Sequence, residues 1–169
     1  MSSSTETRLQ QLGIALPKPH AGAAMYVPWV KTGNLLFTSG QLPLKDGRLK
    51  ATGLLGEHLD LAEGQEAARW CAVNLLSQLR AALGDLDRVQ RLIKITVFVA
   101  AANGFNDHHL VANGASELLA DVFGFKGDHA RSAVGVAGLP MNAPVEIEAV
   151  VEFANANSWE GLAEFSNGY

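Results

Sequence analysis

The sequence predicts an α+β fold in which one sheet is covered on one face by two helices. Three observations predict it. Strand-like and helix-like stretches alternate in the order two strands, helix, strand, helix, two strands. Residues 60–84, DLAEGQEAARWCAVNLLSQLRAALG, carry both end signals and the apolar spacing of one buried-face helix. Residues 145–153, VEIEAVVEF, alternate apolar and acidic residues, as a strand with one buried face does.

From the N-terminus, TETRLQQLG (5–13) reads as a short helix capped by Thr5 or a neighbouring serine and stopped by Gly13. LPKPHAG is a connector punctuated by Pro and Gly. MYVPWVK (25–31) and NLLFTS (34–39) read as two strands joined at Thr32-Gly33-Asn34, and Pro28 makes the first an edge or bulged strand. KDGRLKATG (45–53) is a turn, at best one short strand, and a loop. In the long helix Asp60 and Glu63 form a capping box, Gly84 is the stop, and Leu61, Ala68, Cys71, Ala72, Leu75, Leu79 and Ala82 recur on one face. VQRLIKITVFVAA (89–101), dense in β-branched residues, is the strongest strand. Gly104-Phe105-Asn106 breaks it, Asn106 or Asp107 caps a second helix reaching about Phe123, and two strands follow within 129–153. The division expected is 1–21 as N-terminal helix and connector, 22–153 as a single domain, and 154–169 as a tail with Trp159, Leu162 and Phe165 as candidate anchors.

Composition narrows the partners. The 169 residues are 48% hydrophobic and 18% charged, enough apolar content for one real core. A formal net charge of −4 supplies no broad positive field for a phosphate backbone, so a small molecule is a better partner than nucleic acid. The single Cys71 allows no disulfide within the chain, suits a reducing compartment, and reads as a core thiol. The first residues lack a basic segment followed by an apolar one, and no apolar run approaches about 20 residues. The expectation is a cytoplasmic protein with no membrane partner.

On the last strand Val145, Ile147, Ala149, Val151 and Phe153 share the face expected to meet the helices, and Glu146, Glu148, Val150 and Glu152 share the other. On the preceding strand Ala133, Gly135 and Ala137 are expected beside these carboxylates on the non-helix face, where small residues would let a second copy of the chain approach. If 138–144 joins antiparallel neighbours, Val136 lies near Glu146 and Arg131 about 16 Å further along. Arg131 and Glu146 then either have separate tasks or meet across a subunit boundary.

Searches for established chemistries leave few candidates. His108 and His109 are adjacent, but neither HxxxH nor HExxH occurs, so no metal or other cofactor is expected. GxxxxGK[ST], GxGxxG and GxSxG are all absent. Arg131 heads an apolar strand, where a guanidinium offers two parallel donors to a carboxylate; the alternative is a salt bridge to Glu146 or Glu148. Tyr26 is either a core ring with a wet hydroxyl or a ligand donor, Ser39 is either a turn residue or a ligand contact, and Glu146 by itself reads as a solvated outer-face residue.

ARSAVGVAGLP (130–140) followed by VEIEA resembles the signature of the Rid family, also called YjgF-type or endoribonuclease L-PSP proteins. YVPWVKTGNLLFTSGQLP, LIKITVFV and VANGASELLADVFG agree with it in order, so the likeness spans about residues 22–153. The resemblance implies a chorismate-mutase-like (YjgF-type) mixed sheet, a homotrimer, ligand clefts between subunits, and hydrolysis of reactive 2-imino acids to 2-oxo acids and ammonia. It maps the carboxylate-gripping arginine to Arg131 and the water-positioning glutamate to Glu146. It also maps substrate contacts to Tyr26, Ser39, Gly40 and Asn113. His129 stands where the family pattern has proline, Ala133 where many members have cysteine, and the loop AAANGFNDHH is longer, features of a divergent branch. Two other readings go with the same fold: a non-catalytic module that binds a metabolite carboxylate, and an endoribonuclease, which the acidic balance disfavours.

Overall fold

A computed structural model describes residues 5–20 and 25–155. The serines before Thr5 and the tail anchors Trp159, Leu162 and Phe165 lie outside them.

Helix α1 (Thr5–Gln11) ends where Gly13 turns left-handed, with φ at 68°. It is tied down at its start, where the Thr5 amide and hydroxyl both donate to Asp87 Oδ1 at 2.7 and 2.6 Å, and its Leu9 is buried in the main core. Strands β1 (Trp29–Thr32) and β2 (Leu35–Thr38) form a hairpin whose loop is Gly33-Asn34, with Gly33 supplying the positive φ that a tight reversal requires. Where one short strand at best was expected, β3 (Leu44–Lys45) and β4 (Arg48–Leu49) pair into a miniature hairpin around Asp46-Gly47. Both turn residues have positive φ, the geometry for which Asp-Gly is favoured.

Helix α2 (Leu61–Leu83) starts at the expected capping box: the Glu63 amide donates to Asp60 Oδ1 at 2.8 Å and the Asp60 amide to Glu63 Oε2 at 2.9 Å. Gly84 ends it. Strand β5 (Val89–Ala100), helix α3 (His108–Phe123), strand β6 (Ala130–Val136) and strand β7 (Val145–Phe153) complete the fold. Asp107 occupies the N-cap position of α3 without a side-chain cap bond. Gly114 lets α3 cross α2 closely, since a Cβ there would lie 2.7 Å from the Gln65 carbonyl carbon.

The sheet order is β1-β2-β7-β5-β6, with β6 parallel to β5 and all other pairs antiparallel. The expected β6–β7 hairpin is therefore wrong: β5 lies between them, because β5, α3 and β6 form a parallel crossover unit. Alternation holds on β7, where Val145, Ile147 and Val151 are fully buried on the face that α2 covers while Glu148 is exposed. On β6 it is reversed from expectation. Ala133 and Gly135 are the partners of the buried Val97 and Val99 and so face the helices, and a Cβ at Gly135 would meet His108 Nε2. The open face instead carries Val30, Phe37 and Val134, each more than 40% exposed. These exposed apolar side chains stand beside Glu146, Glu148 and Lys94 in place of the expected row of small residues.

Candidate functional site

Arg131 lies on the helix-facing side of edge strand β6, opposite the buried Ile95, and its guanidinium reaches α3. Nη1 donates to Asn113 Oδ1 and Ser116 Oγ, each at 3.0 Å, and Nη2 donates to the His109 carbonyl at 3.0 Å. Asn113 and Ser116 are three residues apart on α3 and so project side by side. No described carboxylate lies within ion-pair distance of Arg131, which removes an intramolecular salt bridge to Glu146 or Glu148. Two of the five guanidinium donors, one on Nε and one on Nη2, have no partner among the described residues and are left for a ligand.

Glu146 is elsewhere. It is opposite Phe98 on β5, which in turn is opposite Val134 on β6. Arg131 is three residues from Val134, so the two side chains are separated by about 10 Å along the strands and about 10 Å across them. They also project from opposite faces of the sheet. The separation expected within one chain is real, although its cause is the intervening β5 rather than a hairpin register.

The surroundings of Glu146 come from the segment after β2. Gln41 bridges to Ile147 through both backbone groups, which brings Gly40 over the Glu146 side chain. A Cβ at Gly40 would lie 2.6 Å from Glu146 Cδ, so only glycine lets the carboxylate rest there. Half-burial pushes the Glu146 carboxyl above its ordinary 4.5, and the neighbouring Glu148 charge pushes it further. No described residue hydrogen-bonds this carboxylate, which leaves its oxygens open to water or ligand. Behind it, Cys71 is fully buried on α2 as expected of a core thiol, and burial raises its thiol well above the usual range.

Tyr26, Ser39 and Gly40 line a cavity of about 100 Å³ with Gln41, Asn74 and Met141. Tyr26 is half exposed. Ser39 spends its amide on Pro28 O at 2.9 Å and its hydroxyl on Val27 O at 2.6 Å, which ties the Tyr26 segment to the end of β2. The sequence-derived residues thus gather in two places: Tyr26, Ser39, Gly40 and Glu146 at one, Arg131 and Asn113 at the other. Two residues at the second place were missed. Ser116 bonds Arg131, and His129 Nε2 lies 2.9 Å from Ser116 Oγ. The available signal was the i, i+3 spacing of Asn113 and Ser116 and the replacement of a family proline by His129.

A mixed sheet of this order with two helices on one face, an edge arginine without an acidic partner among the described residues and a half-buried glutamate beside glycine define a small α+β domain equipped to handle a polar small molecule. The chain belongs to the family described as "YjgF/chorismate mutase-like, putative endoribonuclease", whose model matches residues 6–153. It is 51% identical to protein TCP17 of Trypanosoma cruzi over 155 residues, 91% of this chain and 97% of that one. Among solved structures it is similar to protein Atu1372 of Agrobacterium tumefaciens, with 52% identity, a TM-score of 0.84, and 89% and 92% of the two chains covered. It is also similar to E. coli TdcF with bound serine, with 27% identity, a TM-score of 0.60, and 83% and 96% covered. Membership supports a role in processing or binding small molecules. Among the described residues no helix is long and apolar enough to cross a membrane.

Proposed function

We propose that this protein hydrolyses reactive 2-imino acids, formed from enamines, to 2-oxo acids and ammonia in clefts between the subunits of a homotrimer. The observation that carries the reading is the state of Arg131: a cation fixed by three neutral acceptors and, among the described residues, without a carboxylate of its own and with two donors left over. A substrate carboxylate completes it. An imine is already electrophilic, so the chemistry asks for orientation and a water. Glu146, with its carboxyl raised by burial and free of hydrogen bonds from described residues, suits holding or deprotonating that water. Tyr26, Ser39 and Gly40 border the same place and contact the rest of the substrate, and Asn113 steadies Arg131. Because Arg131 and Glu146 point away from each other in one chain, the Arg131 of one subunit works with the Glu146 of its neighbour. The exposed Val30, Phe37 and Val134 on the open sheet face supply apolar area for that assembly.

The test is a coupled assay in which an amino-acid oxidase generates 2-imino acids and the release of 2-oxo acid is timed. Wild-type protein accelerates hydrolysis, and Arg131→Ala abolishes the acceleration while the mass in solution stays that of a trimer. Survival of activity in Arg131→Ala overturns the assignment. A second reading, a binding module for metabolite carboxylates in the same cleft, draws support from the serine bound by the related TdcF. Binding of 2-oxo acids without imine turnover selects it.

A further inference from the structure

Arg131 is oriented by a chain of hydrogen bonds that begins at a backbone carbonyl. Gly127 O lies 2.6 Å from His129 Nδ1. A carbonyl can only accept, so Nδ1 carries the hydrogen, and in the neutral imidazole Nε2 is then an acceptor. The neighbour of Nε2 is Ser116 Oγ at 2.9 Å, which therefore directs its hydrogen to His129. With the hydroxyl hydrogen so committed, the oxygen lone pairs face Arg131, whose Nη1 donates to Ser116 Oγ at 3.0 Å. Asn113 Oδ1 takes the other Nη1 hydrogen.

We propose that His129 and Ser116 are positioning residues for Arg131: together they lock Nη1 against α3 and leave the donors on Nε and Nη2 for the ligand. The role rests on the reading of Arg131 as the carboxylate grip, but the relay itself does not depend on which reaction follows. Without the acceptor on His129, the Ser116 hydroxyl is free to bond back to the Ala112 carbonyl one helical turn earlier, the common choice of a serine inside a helix. The lone pairs then rotate, Nη1 loses one of its two acceptors, and the guanidinium swings. Because Nη1 is the group held and the ligand is bound by the other edge, the loss falls on ligand affinity and KM rather than on the water step at Glu146.

Three variants separate this relay from simple packing. His129→Leu keeps the bulk and removes the acceptor, Ser116→Ala removes the middle member, and His129→Gln places an amide oxygen near the position of Nε2. Thermal unfolding of each confirms that it folds. In nitrogen-15 spectra of the wild-type protein, long-range couplings report the Nδ1–H tautomer of His129, and the Nη1 hydrogens of Arg131 give separate, slowly exchanging signals. Both Nη1 signals average in His129→Leu and Ser116→Ala and return in His129→Gln. The dissociation constant for 2-oxobutanoate rises roughly ten-fold in the first two, the effect of losing one hydrogen bond to a charged group. His129→Gln restores most of it, and kcat for imine hydrolysis changes little in all three. Averaged Nη1 signals in the wild type, an Nε2–H tautomer, or signals unchanged in Ser116→Ala overturn the relay. If the signals behave as stated but 2-oxobutanoate does not bind the wild type, the relay stands and the carboxylate-grip reading fails.

Discussion

Gly40→Ala is the most economical probe of the Glu146 half of the site. The added Cβ would lie 2.6 Å from Glu146 Cδ and 2.9 Å from Cγ. Glu146 Oε1 lies nearer still, and ordinary contact begins near 3.4 Å, so the carboxylate group moves by at least about 1 Å, a misplacement that costs on the order of 100-fold in rate. That factor corresponds to about 2.7 kcal/mol of transition-state stabilisation. The φ of Gly40 lies outside the left-handed range, so alanine is tolerated by the backbone, and the glutamate side chain takes up the displacement by rotating. In the coupled imine assay kcat therefore falls by about two orders of magnitude, while the melting temperature changes little. Adding Gly40→Ala to Glu146→Ala produces no further loss, because the group it displaces is gone. Full activity in Gly40→Ala, or additive losses in the double variant, would refute the placement of Glu146 in the reaction.

Three further outcomes follow from the same geometry. Since the Glu146 carboxyl is raised in the folded chain, the folded state binds a proton that the unfolded state has released. Its charge therefore opposes folding above the raised value and ceases to do so below the ordinary 4.5; Glu146→Gln melts higher than wild type at neutral pH, and the gap closes under acid conditions. Glu148→Gln removes the second cause of that elevation, so the acidic limb of the pH–rate profile moves to lower pH, read from initial rates between mildly acidic and neutral buffers. Asp60→Ala deletes the capping box of α2 and costs about 1 kcal/mol, seen as a few degrees in melting temperature with kcat unaltered.

Local chemistry was legible in the sequence and long-range pairing less so. Asp60, Glu63 and Gly84 mark the ends of α2 because caps are made within a few residues of the chain. Gly33 marks the β1–β2 turn for the same reason. The partner of β6 depends on a crossover through α3, and reading 130–153 as a hairpin put β6 against β7 and turned Ala133 and Gly135 to the wrong face. The β5–α3–β6 order is itself the signature of a parallel crossover, so the pairing was recoverable. At the site, the arginine and glutamate stood out as charges in apolar strands. Ser116 and His129 did not, because a serine in a helix and a histidine before a strand become an orienting chain only when α3 packs beside β6.

The claim that Arg131 and Glu146 act in trans is tested most directly by mixing defects. Arg131→Ala and Glu146→Ala proteins, each inactive alone, are unfolded, combined in equal amounts and refolded into mixed trimers. If a cleft takes its arginine from one subunit and its glutamate from the next, about a quarter of the clefts receive both intact residues. Imine hydrolysis then returns to about a quarter of the wild-type rate. A mixture that forms trimers and stays as inactive as either parent contradicts the account.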